Sequence, residues 1–433
     1  MVEIANTLAC LAPTINSTTL RQLTIISAAM LCMTGRITML SISRWSGSGG
    51  SYRTIQRFFT TSIAWEKLHW AIVKKKIHKS SVILLAGDAT TVTKSGKHTN
   101  GIGRFFSSIH SKVVSGIAFQ CISIIDAGTR KSFPIMAEQI LPKVKEKAQE
   151  TKPKPKRGVG RPKGSKNKNK ADVQLNAEMT QLKMMLANVK ALIYDVVKPV
   201  YFLYDGAFGN NAAAQLVIQS GLQLVSKLKN NSALYLPYDG SYSGKGAPRK
   251  YGNKIDFREI SESFLMNEST EDNNLTRYFQ LQVLSKSFAC PLNIVVIYKK
   301  NNLTDKVAHV ILFSTDLDLS WDKIVDYYSL RFQIEFNFRD AKQFWGLEDF
   351  MVVKDVCVTN AANLSFYMVN LSQSLLPSSN AISMNDLKAH YRGLKYVDEV
   401  FKLLPKNSDI IKNDELIQRV TALGRIHEIK KCA

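Results

Sequence analysis

The chain has 433 residues and a formal charge of +23. That length allows two or three packed domains, and the excess of Lys and Arg favours a polyanionic partner, with nucleic acid ahead of a membrane because no stretch is apolar enough to span a bilayer. The six cysteines include no Cys-x-x-Cys pair and suggest neither a disulfide framework nor a zinc site. The start of the chain lacks the layout of a secretory signal, so a reducing cytoplasm is the default location.

Residues 18–35 carry helix formers and end on Gly35 as a C-cap, and a short second helix is expected over residues 37–45. After the turn Gly47-Ser-Gly-Gly50, Ser51 is a good N-cap for a helix over residues 51–59. There Arg53 and Arg57 stand one turn apart while Ile55, Phe58 and Phe59 pack inward. Two readings stand: a helix-turn-helix that presents Arg53 and Arg57 to DNA, or an ordinary small helical domain with two exposed arginines.

Residues 81–86 form a continuous apolar run, which predicts a strand buried on both faces with Asp88 just beyond it. Residues 113–125 predict two strand-like runs, separated near Gly116 or joined through a bulge, and residues 132–141 a further strand. From 142 to 170 the composition changes abruptly to Lys, Arg, Pro, Gly and Asn. No packed structure is expected there. Within it, Arg157-Gly-Val-Gly-Arg161-Pro-Lys163 resembles an AT-hook, whose extended Arg-Pro core enters the narrow minor groove of A/T-rich DNA. A solvated basic loop that holds phosphates without sequence preference is the other reading.

A long helix is predicted over residues 171–197, then a strand over 199–204 that ends in Asp205-Gly206, a helix over 210–220 and a strand over 222–229. Residues 234–300 read as loops and alternating segments, notably 278–284 and 292–298, and residues 309–313 return to the buried-strand pattern. The next segment, residues 321–345, sets Tyr328, Arg331, Glu335 and Lys342 at spacings of three, four and seven. On one helix these four project within an arc of about 60°, apart from the arc of Leu330, Ile334, Ala341 and Trp345 that the helix buries.

This Tyr-x2-Arg-x3-Glu-x6-Lys pattern resembles the signature of the Tyr-Arg-Glu-Lys class of bacterial insertion-sequence transposases, cut-and-paste enzymes of the DDE group with a ribonuclease-H-like core. The resemblance extends to Gly87-Asp-Ala-Thr-Thr-Val-Thr-Lys-Ser-Gly-Lys-His98, Phe105-Phe-Ser-Ser-Ile-His-Ser-Lys112 and Tyr201-Phe-Leu-Tyr-Asp-Gly206, and so covers most of the chain. It implies an α/β fold: a ribonuclease-H-like mixed sheet with flanking helices, interrupted by a mostly β insertion, plus an N-terminal helical DNA-binding domain and a C-terminal helical region. The expected boundaries are 1–78, 79–350 with the basic linker 142–170 and an insertion at about 230–305, and 351–433.

The resemblance also implies the chemistry. DNA cleavage and strand joining need an attacking and a leaving oxygen held in line while negative charge is neutralised, a task for two Mg2+ ions, with Mn2+ as a substitute. Asp88, Asp205 and Glu335 are the implied catalytic and metal-binding set of hard oxygen donors, with Asp88 shared by both ions and Asp205 and Glu335 serving one each. Taken singly, each acid has a plainer reading: a loop cap at Asp88, a turn at Asp205-Gly206, an ion pair of Glu335 with Arg331 or Arg339. Tyr328, Arg331 and Lys342 would grip phosphates of the transposon end. Lys94 and Lys97, with Thr90 and His98, are further candidate DNA contacts, although a flexible basic loop explains them nearly as well.

The implied partners are double-stranded DNA, as transposon ends and as target, and a second copy of the chain in a synaptic dimer. One departure matters: none of the five tryptophans lies in the insertion that supplies a base-stacking Trp to hairpin-forming relatives, which leaves the hairpin step open. Two rival functions remain at this stage, a ribonuclease-H-like nuclease without strand transfer and an inactive DNA-binding remnant of an element.

Overall fold

The computed structural model describes residues 2–78, 81–107, 111–142, 169–242, 244, 246–377, 379, 381–403, 417–418 and 420–421. Short polar side chains start most of the N-terminal helices. After α1 (Val2–Leu8), Asn16 caps α2 (Ser17–Cys32), Thr38 caps α3 (Met39–Ser46) and Ser51 caps α4 (Tyr52–Thr60), each accepting from a backbone N–H of the first turn. Helix α5 (Trp65–Val73) follows. Helix α2 stops three residues short of Gly35, because Met33 is already extended. Helix α4 buries Ile55, Phe58 and Phe59 and leaves Arg53 and Arg57 exposed.

The sheet is built from β1 (Ile83–Thr93), β2 (Gly103–Ser107), β3 (Lys112–Asp126), β4 (Lys131–Ile140), β5 (Tyr201–Leu203), β6 (Gln223–Leu228), β7 (Leu234–Pro237), β8 (Tyr251–Lys254), β9 (Leu265–Glu271), β10 (Asn274–Ser285), β11 (Leu292–Asn301) and β12 (Val307–Ser314). Its order is β2-β3-β1-β5-β6-β12-β11-β10-β7-β8, with β4 also on β3 and β9 also on β10. Strands β1, β5 and β6 are parallel, and the other pairings are antiparallel. The strands from β7 to β11 thus extend the sheet that β1 begins.

Strand β1 is longer than its apolar run. Beyond Ala86 the β-branched Thr90, Thr91, Val92 and Thr93 continue the pairing with β3 as far as Thr93 opposite Gly116, so Asp88 lies inside the strand and not after it. Strand β3 is continuous through Gly116. A Cβ there would lie 2.3 Å from the Val92 carbonyl oxygen, so the residue must be glycine for the strands to approach.

Helices α6 (Ala177–Ile193) and α7 (Asn211–Gln219) cover one face of the sheet. The other face carries α8 (Trp321–Leu330), α9 (Gln333–Trp345), α10 (Asp355–Leu375) and the N-terminal helices in one continuous apolar cluster. The expected single helix over residues 321–345 is two. Between them Arg331 N–H donates to Tyr328, Phe332 N–H to Ser329, Ile334 N–H to Arg331 and Glu335 N–H to Phe332, all i to i−3 bonds that tighten the chain by one 3-10-like turn.

Helix α10 is buried on every side from Asn360 to Ser372, polar residues included. Its asparagines hold the layers together. Asn360 accepts from the Trp65 indole at 2.8 Å and donates to the Phe59 and Thr61 carbonyls at 2.8 and 2.7 Å, while Asn363 and Asn370 donate to Ala137 and Pro134 of β4. Helix α11 (Met384–Leu403) lies on α2, where the Lys388 ammonium donates to the Met30 and Phe344 carbonyls near two helix ends.

Candidate active site

Alternation along β1 decides where Asp88 points. Leu84, Ala86 and Val92 join the cluster beneath α9 and α10, whereas Ile83 and Leu85 join the one beneath α6 and α7, so the even-numbered Asp88 faces α9. Leu203 faces the same way on β5, and Phe202 and Tyr204 face the other, which turns Asp205 toward α9 as well. In the parallel pairing Leu85 stands beside Phe202 and Ala86 beside Leu203. Extending that register by two residues sets Asp205 alongside Asp88.

Helix α9 supplies the third acid. It buries Ile334, Asn337, Phe338, Ala341 and Trp345 and turns Glu335 and Lys342 toward β1. Asp88, Asp205, Arg331, Glu335 and Lys342 line one cavity of about 770 Å³, together with Thr90, Thr91, Phe106, Arg339 and Glu348. At its centre Arg331 bridges two of the acids: Nη1 lies 3.3 Å from Asp88 Oδ2, and Nη2 lies 2.8 Å from Glu335 Oε1.

Burial raises the Asp88 carboxyl to about 6, the Ala89 N–H and Arg331 oppose the rise, and the charges of Asp205 and Glu335 add to it. The three acids therefore share one electrostatic environment. Tyr328 has its phenol raised chiefly by burial, with Arg331 opposing and Asp205 and Glu335 adding, which puts it within reach of the same charges. Asp205 Oδ1 accepts from Ala207 N–H at 3.0 Å, and its backbone carbonyl accepts from the Ser226 hydroxyl, so the turn reading and the cleft-facing carboxylate coexist.

The cations divide into groups. Lys342 Nζ donates to the Thr91 carbonyl at 2.9 Å and lies 3.4 Å from Glu348, tying α9 to β1. Lys94 is turned inward: its Nζ donates to the Glu348 and Phe350 carbonyls and sits 3.8 Å over the Phe350 ring, and burial lowers its pKa to about 8. Lys97 is exposed on the loop after β1. Arg53 and Arg57 lie on α4, outside the residues that line the cleft. Arg157, Arg161 and Lys163 lie outside the described residues.

One supporting residue had no signal in the sequence. Gln120 of β3 donates to the Asp88 carbonyl at 3.3 Å and exchanges hydrogen bonds with the Tyr204 hydroxyl, fixing the strands that carry both aspartates. Phe106 is 64% exposed at the cleft, and Phe332 and Phe336, next in sequence to Arg331 and Glu335, form an exposed edge-to-face pair outside the residues that line it.

Among the described residues no group of three or more His, Cys, Asp or Glu side chains stands ready to hold a metal ion. The donor chemistry nonetheless fits a hard divalent cation: the cleft offers carboxylate oxygens from Asp88, Asp205 and Glu335 and contains neither thiol nor imidazole. The fold and cleft define a mixed α/β protein with an acid-lined, cation-flanked site at the carboxyl end of a parallel strand. Over residues 10–277 the chain matches the family model of the DDE superfamily endonucleases, and it belongs to that family. Nuclease or transposase-like activity and the use of divalent metals are general to such enzymes. The match includes Asp88 and Asp205 and ends before Glu335. No curated protein matches the chain. Among the described residues no helix is long and apolar enough to cross a membrane.

Proposed function

We propose that the chain is a cut-and-paste DNA transposase of the Tyr-Arg-Glu-Lys class, encoded by a bacterial insertion sequence. In this reading it binds the terminal inverted repeats of its element in the cytoplasm, cuts there, and joins the freed 3′ hydroxyls to target DNA as a homodimer on the ends. One observation carries it: Asp88 on β1, Asp205 two residues past the parallel β5 and Glu335 on α9 line one cavity, and a guanidinium ties two of the three acids together. The sheet supports a ribonuclease-H-like core, since the antiparallel β4-β3-β1 edge adjoins β5 and β6 running parallel to β1. We assign the N-terminal helices and the 142–170 segment to DNA binding, residues 79–350 to catalysis and residues 351–433 to a helical cover.

Asp88, Asp205 and Glu335 would hold two Mg2+ or Mn2+ ions, which when bound activate the attacking oxygen and stabilise the leaving 3′ oxygen. The chain's own cations do the remaining work. Arg331, with a planar fork of donors, suits a phosphate bidentately, and Lys342 supplies a point charge about two helical turns beyond Glu335 along the cleft. Tyr328 offers a hydroxyl beside them. Phe106, exposed at the cleft, offers a ring face to an unpaired base.

Asp88→Ala, Asp205→Ala and Glu335→Ala are each expected to abolish metal-dependent nicking of an end-containing duplex while leaving end binding intact. Full nicking by Glu335→Ala defeats the assignment. Strand-transfer products from a precut end separate transposition from simple hydrolysis by a nuclease.

A further inference from the structure

The site as it stands is closed by one of its own residues. Arg331 uses Nη1 on Asp88 and Nη2 on Glu335, joining β1 to α9 across the cleft, and its side chain is only 13% exposed. Its Nε is buried with no partner among the described residues. A guanidinium has five donors and satisfies carboxylates and phosphates with the same fork. Here two acids hold part of that fork, and the remainder is incompletely satisfied.

Resting on the assignment of Asp88, Asp205 and Glu335 as the cation site, we infer that Arg331 is an exchangeable latch: without DNA it occupies the carboxylates in place of divalent cations, and a phosphodiester entering the cleft draws it off and frees them. Three observations carry the inference. The bridged oxygens belong to two of the three proposed cation ligands, and a lone pair given to an N–H is not available to a metal. Arg331 lies between Asp88 and Glu335, and Asp88 feels the charges of Asp205 and Glu335 as well as that of Arg331. Arg331 also sits in the 3-10-like turn between α8 and α9, at the cavity wall, where an incoming phosphate meets it.

The exchange leaves no charge without a partner. The arginine gives up two carboxylates and gains a phosphate, and the carboxylates give up one cation and gain others. The consequence is an order of events in which substrate precedes tight cation binding, so that cations bind poorly to protein without DNA. By linkage, whatever DNA adds to cation affinity, cations add to DNA affinity.

The test uses the full-length chain without DNA and Mn2+ alone as probe, with free ion followed by electron paramagnetic resonance. Removing a unit charge from contact with two acids in a partly buried site is expected to tighten Mn2+ binding in Arg331→Gln by at least about tenfold over the wild type. Arg331→Lys keeps the charge but cannot bridge both acids with a fork, and is expected to lie between them; it serves if the glutamine variant does not fold. Equal or weaker Mn2+ binding in the folded variants, including no binding in any of them, overturns the latch. Adding Asp88→Asn to Arg331→Gln separates the two claims. Binding that needs Asp88 but is equal in wild type and Arg331→Gln sinks the latch alone, whereas tight binding that ignores Asp88→Asn sinks the cation-site assignment beneath it.

Discussion

Acid will weaken this fold through a single imidazole. His69, in the middle of α5, has no exposed surface, and its Nδ1 accepts from the Asn370 amide at 3.0 Å, which puts the ring proton on Nε2. Nε2 has no partner among the described residues. Burial is the main cause that lowers its pKa to about 3, with nearby Asn363 opposing weakly. The folded state therefore binds fewer protons than the unfolded chain between the ordinary histidine value and about 3. The stabilisation from keeping this ring neutral is complete above the ordinary value and is lost as pH falls. Applying linkage to a shift from 6.5 to about 3, the loss by pH 5 is about 2 kcal/mol, and by pH 4 about 3 kcal/mol. Urea unfolding of wild type and His69→Gln at pH 7 and pH 5 isolates it, because carboxylates elsewhere titrate alike in both proteins. The variant starts less stable, having lost packing against Trp65 and Tyr367, yet it loses about 2 kcal/mol less on acidification. Equal losses in the two proteins would refute the argument.

Gly346 closes α9 at φ +75°, and a Cβ would lie 2.5 Å from Ile37, so Gly346→Ala is expected to cost about 2–4 kcal/mol in urea melts. Asn360→Ala leaves the buried Trp65 indole and two carbonyls without their partner and is expected to cost about 2–4 kcal/mol, whereas Thr60→Ala, on the exposed side of α4, stays within about 0.5 kcal/mol. Deleting residues 152–170 removes nine Lys and Arg, so duplex binding followed by fluorescence anisotropy is expected to weaken and its salt dependence to flatten; an unchanged slope would take that segment off the DNA.

The cleft was legible where chemistry follows local spacing. Arg331 and Glu335 stand four residues apart and meet at 2.8 Å, and they do so even though the tightened turn between α8 and α9 runs through Arg331. The end of β1 was misread because the apolar run stops at Ala86, while the strand is extended by β-branched threonines and by the absence of a side chain at Gly116 on the facing strand. Lys94 offered the opposite difficulty. A lysine in a Thr-Lys-Ser-Gly context reads as a solvated charge, and only the carbonyls of Glu348 and Phe350, some 250 residues later, turn it inward. Gln120 and His69 gave no signal because each is defined by partners remote in sequence, Tyr204 and Asn370.

Helix α10 extends the same point to the whole molecule. By composition it is an apolar helix suited to cover a core or meet a partner, and its asparagines look like interruptions. In the fold each one ends at a backbone carbonyl of a different layer: Phe59 and Thr61 at the end of α4, Ala137 and Pro134 on β4. A buried amide without its partner costs about 1–3 kcal/mol, so these contacts specify one arrangement of helices on sheet where apolar surfaces alone would tolerate sliding. Helix α9 packs on the same scaffold through Phe338 against Phe366. The helix that exposes Arg53 and Arg57 is thereby fixed, through α10, at a set offset from the helix that carries Glu335. Under the proposed function, a duplex held by those arginines would meet the cleft in one register, and Asn360→Ala is expected to spread the cut positions read on a sequencing gel before it abolishes binding.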